Sequence, residues 1–91
     1  MNASEYHVAS FIAHTIPINS AALSQFISQQ PGLEVHAVSE QGKIVFTAEA
    51  DTQKAIANQT DMVKQHADVL TLSPIYHQFL NEEQTSLKDA L

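Results

Sequence analysis

Five histidines and ten acidic residues are the groups in this chain best suited to metal or acid–base chemistry, and cysteine is absent. A zinc-binding helix places two histidines at i and i+4, with a carboxylate at a fixed offset. His7, His14, His36, His66 and His77 show no such spacing. His7 and His14 are separated by an odd number of residues, so on one strand they point to opposite faces. His36 falls on a second strand, His66 at a helix end and His77 at the end of the last strand. Solvated or partly packed histidines explain this scatter better than a metal site does. The carboxylates are equally dispersed, and Glu82–Glu83 reads as a solvated pair. Without cysteine there is no thiol nucleophile, thiolate metal site or disulfide framework. Gly32 and Gly42 are the only glycines, too few and too far apart for a phosphate-cradling loop. The chain is therefore expected not to be an enzyme, and to hold neither metal nor cofactor.

The elements that position these residues are organised around the central segment from Gly32 to Ala50. Two β-rich apolar runs, Leu33–Val38 and Ile44–Ala48, flank the polar loop Ser39–Gly42. Alternating faces around a short glycine-bearing loop predict an antiparallel hairpin. Before it, Tyr6–Ala13 reads as a strand with both faces apolar, which suits a central position in a sheet. A loop follows at His14–Pro17. A helix then starts near Asn19 or Ser20, presents Leu23, Phe26 and Ile27 on one face, and stops at Pro31–Gly32. After the hairpin, Asp51 or Thr52 caps a second helix that runs to about Gln65 with a thin stripe of Ile56 and Val63. Val69–Tyr76 forms the last strand, and Pro74 assigns it to an edge because proline lacks a ladder N–H. The order βαββαβ predicts an α+β, ferredoxin-like fold: a four-stranded antiparallel sheet, order 4-1-3-2, with two helices on one face.

Ninety-one residues make one small domain. The expected division is a domain over 1–78 and a mobile acidic tail over 79–91. No apolar run is long enough for a membrane span, and no secretory leader is visible at the N-terminus, so a cytoplasmic protein without stable membrane association is expected. Ten acidic residues against four lysines, with no arginine, give a net charge of −6. That balance opposes nucleic-acid binding, which draws on clustered Lys and Arg, and favours a basic partner.

Both helices on one side leave the other sheet face open. On the third strand, Ile44, Phe46 and Ala48 suit the core, which leaves Val45, Thr47 and Glu49 outward. On the fourth, Leu70 and Leu72 suit the core, which leaves Thr71, Ser73, Ile75 and His77 outward. On the first, Val8, Ser10 and Ile12 are placed inward and His7, Ala9, Phe11 and Ala13 outward. The reverse assignment stays open there, because both faces are apolar. The open face then carries more apolar area than a solvated sheet needs, the mark of a binding surface, unless self-association or the tail covers it.

Three segments resemble the NapD family: the opening strand HVASFIA; Pro31–Gly32–Leu33–Glu34–Val35 leading through Gly42–Lys43–Ile44–Val45 to Glu49–Ala50; and Val69–Leu70 followed by Ser73 and Ile75–Tyr76–His77–Gln78. The resemblance covers about residues 6 to 78, and Pro74 departs from its pattern. It implies a cytoplasmic chaperone that binds the twin-arginine signal peptide of the periplasmic nitrate reductase catalytic subunit. Such a chaperone supports cofactor loading of that client and prevents premature export. The molybdenum cofactor would be the client's. A peptide basic at its start and apolar after it would dock as a helix on Ala9, Phe11, Val45, Thr47, Ile75 and His77. Thr71 and Ser73 are short enough to let it lie close, and Glu34 and Glu49 would meet its basic end. The expected partner is that peptide, and the expected state a monomer or weak dimer. A small-molecule-sensing regulatory domain and a structural subunit of the same fold remain alternatives.

Overall fold

The structure, a computed structural model, describes residues 6–80, the last five by their backbone alone. Its elements are β1 (Tyr6–His14), a 3-10 turn (Pro17–Asn19), α1 (Ser20–Ser28), β2 (Leu33–Val38), β3 (Lys43–Ala50), α2 (Gln53–Lys64) and β4 (Thr71–Leu80). The four strands form one antiparallel sheet in the order β2-β3-β1-β4. This is the ferredoxin-like arrangement expected from the sequence.

Local chemistry sets the boundaries. Thr52 is extended, and its hydroxyl oxygen accepts from the Ala55 N–H at 3.0 Å, so it caps α2. Asn19 precedes α1 without a side-chain cap. There the start is held instead by the 3-10 turn, where the Ser20 hydroxyl donates to the Pro17 carbonyl at 2.8 Å. In the β2–β3 loop, the Ser39 hydroxyl accepts from the N–H groups of Gln41 and Lys43, both at 3.1 Å. Gly42 follows with φ +90°, and its carbonyl accepts the Thr15 N–H at 2.8 Å. The hairpin tip is thus docked on the end of β1. A Cβ at Gly42 would collide with the Thr15 carbonyl, so any side chain here would force the hairpin tip and the end of β1 apart, besides straining the positive φ.

The core lies between the helices and one sheet face. Leu23 and Ile27 of α1 and Ile56 and Val63 of α2 are buried over Leu33, Ile44, Phe46 and Ala48. Strand β1 completes this layer with Ala9 and Ala13, both buried, and with the half-buried Phe11, whose ring stacks on Phe46 at 5.5 Å. This reverses the face assignment favoured for the first strand. His7, Ala9, Phe11 and Ala13 belong to the helix side; Val8, Ser10 and Ile12 belong to the open side. Register decides it: Ala9, Phe11 and Ala13 sit opposite Ala48, Phe46 and Ile44, and directly paired residues share a face. Small alanines on a central strand also let the helices come close.

Strand β4 differs in two further ways. Leu70, expected in the core with Leu72, is 62 % exposed, whereas Leu72 is packed against the core. Leu70 precedes the strand, and its N–H donates to the His14 carbonyl at 2.8 Å, at a rim that the helices do not cover. The strand also extends to Leu80, so Phe79 and Leu80, assigned to the tail, pair with His7 and Tyr6. The rest of the expected tail, 81–91, lies outside the described residues. Pro74 finds its place on this edge strand beside a bulge, a location where the missing N–H costs no ladder bond.

Candidate functional site: the open sheet face

Because Ile44, Phe46 and Ala48 face the helices, the alternate residues of β3 must face away from them. Lys43, Val45, Thr47 and Glu49 therefore form the middle of the open face. Their β1 partners are His14, Ile12, Ser10 and Val8 in the same order. On the far side of β3, Glu34 is opposite Thr47 and Ala37 is opposite Val45. On β4, Thr71 is opposite His14 and Ser73 is opposite Ile12.

Polar side chains tie the strands together across this face. The His36 ring Nε2 lies 2.8 Å from the Thr47 hydroxyl, and the His14 ring Nδ1 lies 2.9 Å from the Thr71 hydroxyl. Both histidines are thus occupied in cross-strand hydrogen bonds. His66 lies elsewhere, at the end of α2, where its ring packs on Phe26 at 4.6 Å and its Nδ1 accepts the Asp68 N–H at 3.0 Å. Among the described residues no three of His, Asp and Glu gather as a metal site. Among them, too, no helix is long and apolar enough to cross a membrane.

At the Glu49 end, Tyr6 donates a hydrogen bond to the Glu49 carboxylate. That bond holds the phenol pKa above its usual value, and burial and the carboxylate charge push the same way. The bond aims one of the two carboxylates of this face. Glu34, the other, is exposed. Among the described residues, the apolar part of the surface includes Val8, Ile12 and Val45, each half-buried by its neighbours, and the exposed Ala37.

Of the residues expected to form the site, Glu34, Val45, Thr47, Glu49, Thr71 and Ser73 share this face. Ile75 is the extra residue of the β4 bulge and is half exposed. His77 pairs in register with Ala9, and its side chain lies outside the described part. Ala9 and Phe11 are on the opposite side. With Pro74 they line a shallow, largely apolar cleft of about 310 Å³, bordered by Gln53, Ile56, Ala57 and Thr60 of α2. Among the described residues, no charged one lines that cleft. Sequence reasoning missed Val8, Ser10, Ile12, His14 and His36 as members of the open face. Their β3 partners Val45, Thr47 and Glu49 were assigned correctly and Lys43 was not assigned to a face, so the missing information was the side of β1 and the bulge of β2 between Val35 and Ala37.

The family model described as NapD protein matches residues 6–81 of this chain. The solution structure of the E. coli Tat proofreading chaperone protein NapD is similar, with a TM-score of 0.78 at 23 % sequence identity. The match covers 93 % of this chain and 88 % of that one, and at such identity the likeness is one of fold. Among curated proteins, no sequence matches this chain.

Proposed function

The chain belongs to the NapD family, and on that premise we propose that it is a chaperone for a twin-arginine signal peptide. Its client is the precursor of the periplasmic nitrate reductase catalytic subunit, met in the cytoplasm before export. Binding holds the precursor back while the client's molybdenum cofactor is inserted. The protein supplies no catalytic group and no cofactor of its own; its contribution is a surface.

The observation that carries this reading is the open sheet face. It presents Val8, Ile12 and Val45 together with Glu34 and Glu49, and neither α1 nor α2 covers it. A twin-arginine peptide has matching chemistry: two guanidinium groups, then an apolar run that can lie as a helix against the sheet. Thr71 and Ser73 are short, so a helix can approach the β1–β4 side closely. The E. coli protein of similar fold is described as a Tat proofreading chaperone, which supports the same assignment. The cleft behind Phe11 is a weaker candidate, since none of its described lining residues carries a charge to meet the arginines.

The test is a titration of the full-length protein with a synthetic twin-arginine signal peptide of a periplasmic nitrate reductase catalytic subunit, followed by calorimetry and amide shifts. Saturable binding with shifts at Val8, Ile12, Val45 and Thr47 supports the proposal. Saturable binding with shifts confined to Phe11, Ile56 and Thr60 moves the site to the cleft. Absence of binding at millimolar peptide overturns the function. Sedimentation of the same sample should give a monomer or weak dimer, because permanent coverage by a second copy would compete with peptide.

A further inference from the structure

The open face has a polarity along its strands, and we infer that this polarity fixes the direction in which a basic-then-apolar helical peptide lies on it. The inference rests on the chaperone reading above and adds the orientation of the bound peptide.

At one end of the face are the Glu34 and Glu49 carboxylates, with Tyr6 bonded to Glu49. Six residues along β3, at the other end, is Lys43, opposite His14. Between them runs the apolar strip of Ile12 and Val45, a residue-to-residue pair. Beyond His14 the rim becomes more apolar: Ile16 is 53 % exposed, Ile18 86 % and Leu70 62 %. Leu70 is anchored there by its bond to the His14 carbonyl. Among the described residues, the carboxylates near this end are Glu40, on the hairpin loop, and Asp68, two residues before Leu70 and beside His66, and neither is in the strand ladder.

Strand residues advance about 3.4 Å each, so Lys43 and Glu49 are about 20 Å apart along the sheet. A helix rises about 1.5 Å per residue, and about 13 residues span that distance. A helix with its N-terminus at the Glu34–Glu49 end places two guanidinium groups beside two carboxylates. Its apolar run then crosses Ile12 and Val45 and reaches Ile16, Ile18 and Leu70. The helix dipole reinforces this direction, since its positive end meets the carboxylates and its negative end meets Lys43. The opposite direction would place the arginines against Lys43 and leave both carboxylates facing apolar side chains.

The chain contains no cysteine, so a single spin label on a peptide cysteine reports position without background. The probe is a synthetic peptide with two consecutive arginines followed by an uncharged Leu- and Ala-rich run, labelled either before the arginines or after the run. The first label should broaden the amides of Val8 and Glu49, and the second those of His14, Lys43 and Leu70. Lys43→Glu should leave affinity unchanged or weaken it severalfold. Glu34→Gln with Glu49→Gln should weaken it about tenfold, since each exposed charge pair contributes modestly. Glutamine keeps an acceptor for Tyr6, so the fold is not at stake. Tight binding with the two broadening patterns exchanged, or strengthening by Lys43→Glu, overturns the direction and leaves the chaperone reading intact. Failure of the wild-type protein to bind this designed peptide overturns the inference, and failure to bind the nitrate reductase signal peptide as well overturns the chaperone reading.

Discussion

Phe11 shows how much hangs on one residue's side of a strand. Its ring stacks on the fully buried Phe46, so it works for the fold and not for the open surface. Truncating a core phenylalanine typically costs about 3–5 kcal/mol, and the half-buried Phe11 belongs near the lower end of that range. Phe11→Ala should therefore lower the melting temperature clearly while leaving peptide affinity per folded molecule unchanged. Thermal melts paired with titrations on the same variant check this. A stable variant that had lost binding would return Phe11 to the open face. Leu70→Ser should behave in the opposite way, with stability within about 0.5 kcal/mol of wild type, as expected for an exposed site. The sequence could not separate these two residues. Both faces of β1 are apolar, so period-two alternation carried no information about which side met the helices. Leu70 matched the parity of Leu72 and was excluded from the core only because the strand begins one residue later.

At the scale of elements, most of the architecture was legible because local signals agreed with one another. The hairpin was marked by its two alternating runs and Gly42, α2 by Thr52, and the end of α1 by Pro31–Gly32. What stayed hidden was long-range: the register of β1 against β3, the bulges at Val35–Ala37 and Ser10–Phe11, and the length of β4. Register depends on contacts between segments far apart in the chain, and a bulge shifts every later residue of its strand relative to its partner. Two substitutions test the local signals. Thr52→Ala removes the bond to the Ala55 N–H and should cost about 1 kcal/mol in chemical denaturation. Gly42→Ala should cost more than that cap, because it meets both the positive φ and the Thr15 carbonyl. If Gly42→Ala cost less than Thr52→Ala, the docking of the hairpin tip on β1 would not be a constraint on this fold.

Taken whole, the molecule divides its work between two faces of one sheet. The helix side buries Phe46, Ile44, Leu23, Ile27 and Val63 completely and holds the fold together. The open side carries the Glu34 and Glu49 carboxylates beside apolar Ile12 and Val45, in a chain whose net charge of −6 favours a basic ligand. Salt separates the two contributions to binding. Attraction between exposed charges is screened beyond about 8 Å at physiological ionic strength, whereas apolar burial is not. Affinity for the signal peptide should therefore fall as salt rises and then level off at a value set by contact with Ile12 and Val45. Replacing both peptide arginines with glutamine should lower affinity at low salt and flatten the salt dependence, so the two curves converge at high salt. Convergence is the informative result, because it assigns the salt-sensitive part of binding to the arginines. Parallel curves, with equal slopes and a constant offset, would mean that the arginines contribute by shape or hydrogen bonding alone. The acidic composition would then serve solubility and not recognition.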